Sequence, residues 1–158
     1  MTEFEKLFHD NRAFIFKYLM KLTKDASLAE ELTQETFFRA YMNYASLRNK
    51  EKASVWLCQI AKNTYFAWYN DQKKTDSLDE MGEMSDFGSI EETFIQKELS
   101  QKALQSLHNL EEPYKEVFML SVFGGFSLKD ISGIFGKSES WARVTFYRAK
   151  QKLLDLMR

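Results

Sequence analysis

The stretch KSESWARVTFYRAKQKLL, residues 137–154, carries two patterns at once. Ala142, Phe146, Ala149 and Leu153 recur at helical spacing and form a stripe suited to burial. Arg143, Tyr147, Arg148 and Gln151 make the next stripe round the same helix, which points elsewhere. Ser138 is placed to cap this helix, and Glu139 stands in its first turn, where a negative charge is favourable. From Lys137 to Arg158 six basic residues face only Glu139 and Asp155, a local balance of +4 in a chain whose formal net charge is −1. A helix that buries one stripe and offers a basic one has what a helix lying in the DNA major groove needs, because arginine pairs with guanine edges or grips phosphates.

The residues just upstream supply the other half of a motif. Ser127 can cap a short helix carrying Leu128, Ile131, Ile134 and Phe135, and Gly136 can take the left-handed conformation that ends it. Small Ala142 and Ala149 let the two helices approach closely. Two short helices round a tight glycine turn make a helix-turn-helix. A charged, solvated last helix is common in helical proteins; the glycine turn, the two caps and the small-residue seam favour the motif.

Farther upstream the chain continues in helical pattern. Phe94, Leu99, Leu104, Leu107 and Leu110 share that period, and Glu112-Pro113 begins the next helix. Val117 to Phe123 would pass for a buried strand alone, but the proline start and the Gly124-Gly125 stop favour helix. Near the N-terminus, Phe4, Leu7, Phe8, Ile15, Tyr18, Leu19 and Leu22 follow a helical period. Ser27-Leu-Ala-Glu30 reads as a capping box opening a second helix to about Tyr44. SLRNKEKAS, residues 46–54, has no apolar period and reads as a loop, before a third helix from about Val55 to Asp71.

Between the two blocks the composition shifts. Residues 76–92, DSLDEMGEMSDFGSIEE, hold seven acidic residues and no basic one, which reads as a flexible acidic linker. The expected fold is therefore all-α: an N-terminal helical bundle (1–72), a linker (73–92) and a C-terminal helix-turn-helix domain (93–158).

Composition sets the outer limits. An apolar content of 44% with 28% charged residues belongs to a globular chain. The single Cys58 excludes an internal disulfide and a cysteine-based zinc site. Neither His9 nor His108 has a Glu three residues before it, which speaks against a di-iron bundle, and no glycine-rich phosphate loop occurs. Catalytic residues, cofactors and metals are accordingly not expected. With no signal peptide and no apolar run near 18 residues, the expected location is cytoplasmic, without membrane insertion.

Two blocks together resemble one family, the extracytoplasmic-function sigma factors of bacterial RNA polymerase. AEELTQETFFRAY (29–41) is similar to that family's Asp/Glu-Leu-Val-Gln-Glu-x-Phe helix, and WLCQIAKN (56–63) to its Trp-Leu-x-x-Ile-Ala-Arg-Asn. FSLKDISGIFGKSESWARVTFYRAKQKL (126–153) is similar to its helix-turn-helix. The resemblance implies that Glu31, Gln34 and Glu35 dock on the β′ clamp helices of core RNA polymerase. It implies that Ser46, Leu47, Arg48 and Asn49 of the loop, with Lys62 and Asn63, meet the minus-ten element, melting it and capturing flipped bases. Lys73 and Lys74 join Lys62 as expected phosphate contacts. Trp56, Tyr65, Trp68 and Tyr69 are chemically able to stack on bases, but core packing is the stronger expectation for them, Trp56 included.

For the second block the resemblance implies that Ser138, Arg143, Val144, Tyr147 and Arg148 meet the minus-thirty-five element of promoter DNA, with the domain touching the β flap. An anti-sigma factor is a further implied partner. Departures from the family pattern concern which promoter is read. Val144 stands where a Ser is usual, Thr145 where an Arg is usual, and Trp141-Ala142 where Thr-Val is usual, while Leu47 and Ala53 replace frequent aromatics. Two other readings compete: a helix-turn-helix regulator that needs no polymerase, which leaves residues 29–63 idle, and a helical-bundle enzyme or metal protein.

Overall fold

A computed structural model of the chain describes residues 1–75 and 101–158, the side chains of 73–75 and 101 excepted. The fold is all-α. Seven α-helices occur among the described residues, in two compact units, Met1–Ser77 and Leu78–Arg158. The acidic stretch 76–92, the apolar Phe94 and Leu99, and the side chains of Lys73 and Lys74 lie outside the described residues.

The first unit holds α1 (Glu3–Thr23), α2 (Ala26–Met42) and α3 (Ala53–Thr75), each packed on the other two. Ile15, Tyr18 and Leu19 of α1, Ala29 and Ala40 of α2, and Leu57, Cys58 and Ala61 of α3 are fully or almost fully buried between them. Three threonines share this core with their hydroxyls hydrogen-bonded. Thr33, Thr36 and Thr64 are buried, and their hydroxyls donate to Ala29 O, Leu32 O and Ile60 O one turn back, at 2.7–2.8 Å.

The start of α2 differs from expectation. α2 is capped not by Ser27 but by Asp25, whose carboxylate accepts from the backbone N–H groups of both Ser27 and Leu28. An ionised acceptor at the helix N-terminus outcompetes a hydroxyl two residues later. Glu30, freed from the expected box, reaches across to Arg12 of α1 at 2.6 Å. A true capping box opens α1, where Thr2 Oγ1 accepts from Glu5 N–H and Glu5 Oε1 accepts from Thr2 N–H.

The second unit is built on one helix. α4 (Gln101–Asn109), α5 (Tyr114–Val122) and α6 (Leu128–Phe135) all pack against α7 (Glu139–Met157). Residues 117–122 are helical with Phe123 as the C-cap, and Val117 to Leu120 are buried among these neighbours, hence the strand-like run of apolar residues. Pro113 precedes the helix as its cap residue, and the Glu112 carboxylate accepts from Glu116 N–H at 2.9 Å. Ser127 accepts from Asp130 N–H, Gly136 lies at φ 66°, and Ser138 accepts from Trp141 N–H at 3.0 Å, so α6, turn and α7 form the anticipated helix-turn-helix.

The buried stripe of α7 is Ala142, Thr145, Ala149, Leu153 and Met157. Thr145 takes an inward place that the sequence pattern gave to Phe146. The Phe146 ring sits half-buried at the edge of the core, stacked on Phe118 at 6.0 Å, with the Lys150 ammonium 4.9 Å from its centroid. Among the described residues no helix is long and apolar enough to cross a membrane.

Candidate functional site

Each unit exposes one helix face of definite chemistry. In the first, α2 turns Glu31, Gln34 and Glu35 outward, and their i, i+3, i+4 spacing does put them on one face. They wall a groove of about 520 Å³ whose other wall is α3, with Phe38 completing the α2 side and Trp68 and Asp71 the α3 side. Phe38 is 60% exposed, and Tyr41 and Met42 on the next turn are exposed as well. Sequence reasoning missed these three. Their signal was available, because apolar residues at 38, 41 and 42 lie off the stripe of Leu32, Thr36 and Ala40 that enters the core.

The polar rim of the groove is held in place. Gln34 Nε2 donates to Glu30 Oε2 at 3.2 Å, and Arg39 Nε donates to Glu35 Oε2 at 2.8 Å. The Gln34 amide, with the Arg12 guanidinium, holds the Glu30 carboxyl below its ordinary range despite the opposing effect of partial burial. Apolar Phe38 and Trp68 flanked by carboxylates suit a partner helix that carries apolar and basic side chains.

The loop joining α2 to α3 is ordered by its own side chains. It contains two single 3₁₀ turns, Tyr44–Ser46 and Lys50–Lys52. Ser46 Oγ donates to Asn43 O, and Asn49 Oδ1 accepts from Glu51 N–H. Buried Asn11 of α1 anchors the far end: its Oδ1 accepts from Ser54 Oγ at 2.7 Å while its Nδ2 donates to Leu7 O. Lys50 lies over the Tyr44 ring at 4.0 Å.

Of the six residues expected at the minus-ten element, Ser46, Arg48, Asn49 and Asn63 are exposed. Leu47 and Lys62 are not. Leu47 is 8% exposed and pins the loop to the core, and Lys62 is 4% exposed within α3, so neither presents its side chain to a ligand in this conformation. Tyr65 and Tyr69 belong to the core, where their rings stack at 6.1 Å and burial pushes both phenols up from their ordinary range. Trp56, by contrast, is only half-buried and lies on the same stripe of α3 as Asn63, two turns away.

In the second unit, the outward face of α7 carries Arg143, Val144, Tyr147 and Arg148, all exposed, with Ser138 at its cap. Arg143 approaches Glu139 at 3.5 Å, a long contact between two exposed side chains. Phe135 and Lys137 pack about Trp141 and fix the turn that aims the helix.

Known proteins match both units. Residues 7–75 match the family Sigma-70 region 2, and residues 100–153 match Sigma-70, region 4. The ECF RNA polymerase sigma factor SigM of Bacillus subtilis is 31% identical over 144 residues, spanning 90% of this chain and 87% of that protein. The chain belongs to the ECF sigma factors. It directs RNA polymerase to initiate at particular promoters, as the two matched regions and their order require. A second relative of this sigma factor, YlaC of B. subtilis, is 28% identical over 153 residues, 94% of this chain and 88% of its own. The fold is similar to that of the sigma factor RpoE of Bartonella quintana, solved with the anti-sigma factor NepR, at a TM-score of 0.55 and 18% identity, covering 99% of this chain and 98% of that one.

Proposed function

We propose that this sigma factor divides its work between the two exposed faces. Residues 1–72 dock on core polymerase and open the minus-ten element; residues 93–158 read the minus-thirty-five element and touch the β flap; residues 73–92 join them. Glu31, Gln34 and Glu35 meet the β′ clamp helices, with Phe38 and Trp68 supplying the apolar contact between them. The α2–α3 groove supports this, since it combines carboxylates with apolar side chains, the complement of an amphipathic basic helix.

Ser46, Arg48, Asn49 and Asn63 take the unwound minus-ten strand. An amide reads a base edge with a donor and an acceptor together, and half-buried Trp56 offers a ring beside Asn63. Ser138, Arg143, Val144, Tyr147 and Arg148 enter the major groove upstream. The single observation that carries the upstream assignment is the α7 face itself, basic and solvent-exposed, on a helix whose opposite side is consumed by three others.

The chain acts by positioning and does no covalent chemistry; catalysis stays with polymerase. It works in the cytoplasm. An anti-sigma factor, like the NepR seen on the RpoE protein of similar fold, would cover one or both faces. The deciding experiment is run-off transcription by core polymerase on pooled genomic fragments, with and without this chain, followed by mapping of start sites. Start sites that share two upstream elements and need the chain are expected. Specific transcription that survives the substitution of Glu31, Gln34 and Glu35 together by Ala would refute the docking assignment.

A further inference from the structure

Between the two arginines of α7 lies an apolar patch that a purely phosphate-gripping face does not need. At about 100° per residue, Arg143 and Arg148 stand about 140° apart round the helix, and Tyr147 and Val144 fall between them. Val144 is 45% exposed and Tyr147 61% exposed, three residues apart and so side by side. The helix could have placed a better helix former or a polar residue here, because a β-branched side chain on an open helical face gains nothing from folding. The neighbour that might have been thought to read DNA in its place, Thr145, is 5% exposed and committed to the core. Single exposed apolar residues are ordinary on protein surfaces. This one is in the second turn of a helix whose first turns are aimed outward by the Ser138 cap, and it is bracketed by exposed cations.

The occupant follows from that bracket. Arg143 and Arg148 suit a polyanion, and among the groups that a DNA duplex shows in its major groove the thymine C5-methyl is the apolar one. We propose that Val144 is a specificity-determining residue of this sigma factor, reading a thymine methyl in the upstream promoter element while Arg143 and Arg148 hold the flanking guanine edges or phosphates. The inference rests on the assignment of α7 to the major groove and adds to it the base that is read. Tyr147, next along the patch, closes the methyl off from water, and its hydroxyl remains free to turn toward the backbone of the duplex. The specificity is one of shape and dryness. A cytosine at that position has no C5-methyl for Val144 to cover.

The test uses the full chain with core polymerase and a pool of duplexes randomised over the upstream element. The wild-type protein should enrich a motif with thymine at one or more positions. Remaking the enriched duplex with uracil for thymine in that element alone removes a methyl and leaves every hydrogen-bonding group in place. Binding should then weaken by about fourfold, the effect of burying one such carbon. Val144→Ser should bind the thymine and uracil duplexes equally, and Val144→Thr, which keeps one Cβ methyl, should restore part of the difference. Equal binding of the two duplexes by the wild-type chain, or a difference that persists in Val144→Ser, overturns the role of Val144 while leaving α7 as a groove-binding helix. If no upstream motif is enriched at all, the groove assignment fails together with it.

Discussion

The outer face of α2 and the outer face of α7 present their polar side chains in opposite ways. On α2 Glu30, Gln34, Glu35 and Arg39 are already paired, while Glu31 is exposed. Arg12, Gln34 and Glu30 form one cluster, and Arg39 and Glu35 another, around the apolar Phe38. On α7 Arg143 and Arg148 stand out into solvent, and the contact of Arg143 with Glu139 is long. A protein partner brings its own fixed shape, so a prearranged rim reduces the ordering cost of meeting it. A phosphate backbone is a line of charge that tolerates many approaches, so extended cations serve it well. The formal net charge of −1 hides this division, since one face is acidic and the other basic.

The largest effects should come from the cores that hold these faces. Leu19 and Leu153 are fully buried, one in each unit. Leu19→Ala and Leu153→Ala should each cost about 2–5 kcal/mol by chemical denaturation, the usual range for a buried leucine. If the two units are energetically separate, each variant lowers amide-exchange protection only in its own half. Protection lost in both halves from either single change would mean that the two faces belong to one cooperative body.

Next in size is the loss of a cation from the open face. Arg148→Ala should weaken promoter binding by about 1–3 kcal/mol if the guanidinium reads a base bidentately, and relax selectivity at that base pair. A loss that is uniform across sequences, with a shallower salt dependence, would instead place Arg148 on a phosphate. Either outcome sharpens the contrast with α2, where replacing Gln34 should leave salt dependence of DNA binding unchanged.

Helix starts come third. Asp25→Ala removes the acceptor for two backbone N–H groups, and Ser138→Ala the acceptor for one. Each should cost about 0.5–2 kcal/mol in thermal unfolding, Asp25→Ala the more of the two. Equal losses would mean that the ionised cap gains nothing over the hydroxyl at its exposed site.

These caps also mark where the sequence could be followed and where it could not. α7 was legible almost throughout, because everything that defines it is local: Ser138 and Gly136 at its start, small Ala142 and Ala149 on the inner side, arginines on the outer. Thr145 was the exception. A threonine pairs with its own helix backbone as readily in a core as at a surface, and nothing in the spacing separates it from Phe146 one position on. In the first unit the deciding interactions span the chain. Glu30 fits a capping box by pattern, yet Arg12, 18 residues away, claims it. Asn11 and Ser54 hold the loop from 43 residues apart. The family motif implies DNA contacts for Lys62 and Leu47, and their burial depends on packing that the motif does not carry. The groove of Phe38 and Trp68 likewise needs α2 and α3 side by side before it exists.

The smallest effect is a pH dependence, and it concerns the same Glu30. Its folded-state pKa lies below the ordinary 4.5, chiefly through the Gln34 amide and further through Arg12. The folded protein therefore binds a proton at this site less readily than the unfolded chain does. The resulting stabilisation is fully present above the unfolded value, and it is lost as pH falls through the lowered one. Glu30 is more than a third exposed and its pair with Arg12 is open to salt, so the contribution is small. Carbon-detected titration of the Glu30 carboxyl should show its pKa rise in Arg12→Ala and again in Gln34→Ala, with neither change alone removing the whole displacement. In Glu30→Gln the corresponding part of the acid-unfolding curve should vanish. A Glu30 that titrates at its ordinary value in the wild-type chain would mean that the rim of the α2 groove is not preset, and the two faces would then differ in charge alone.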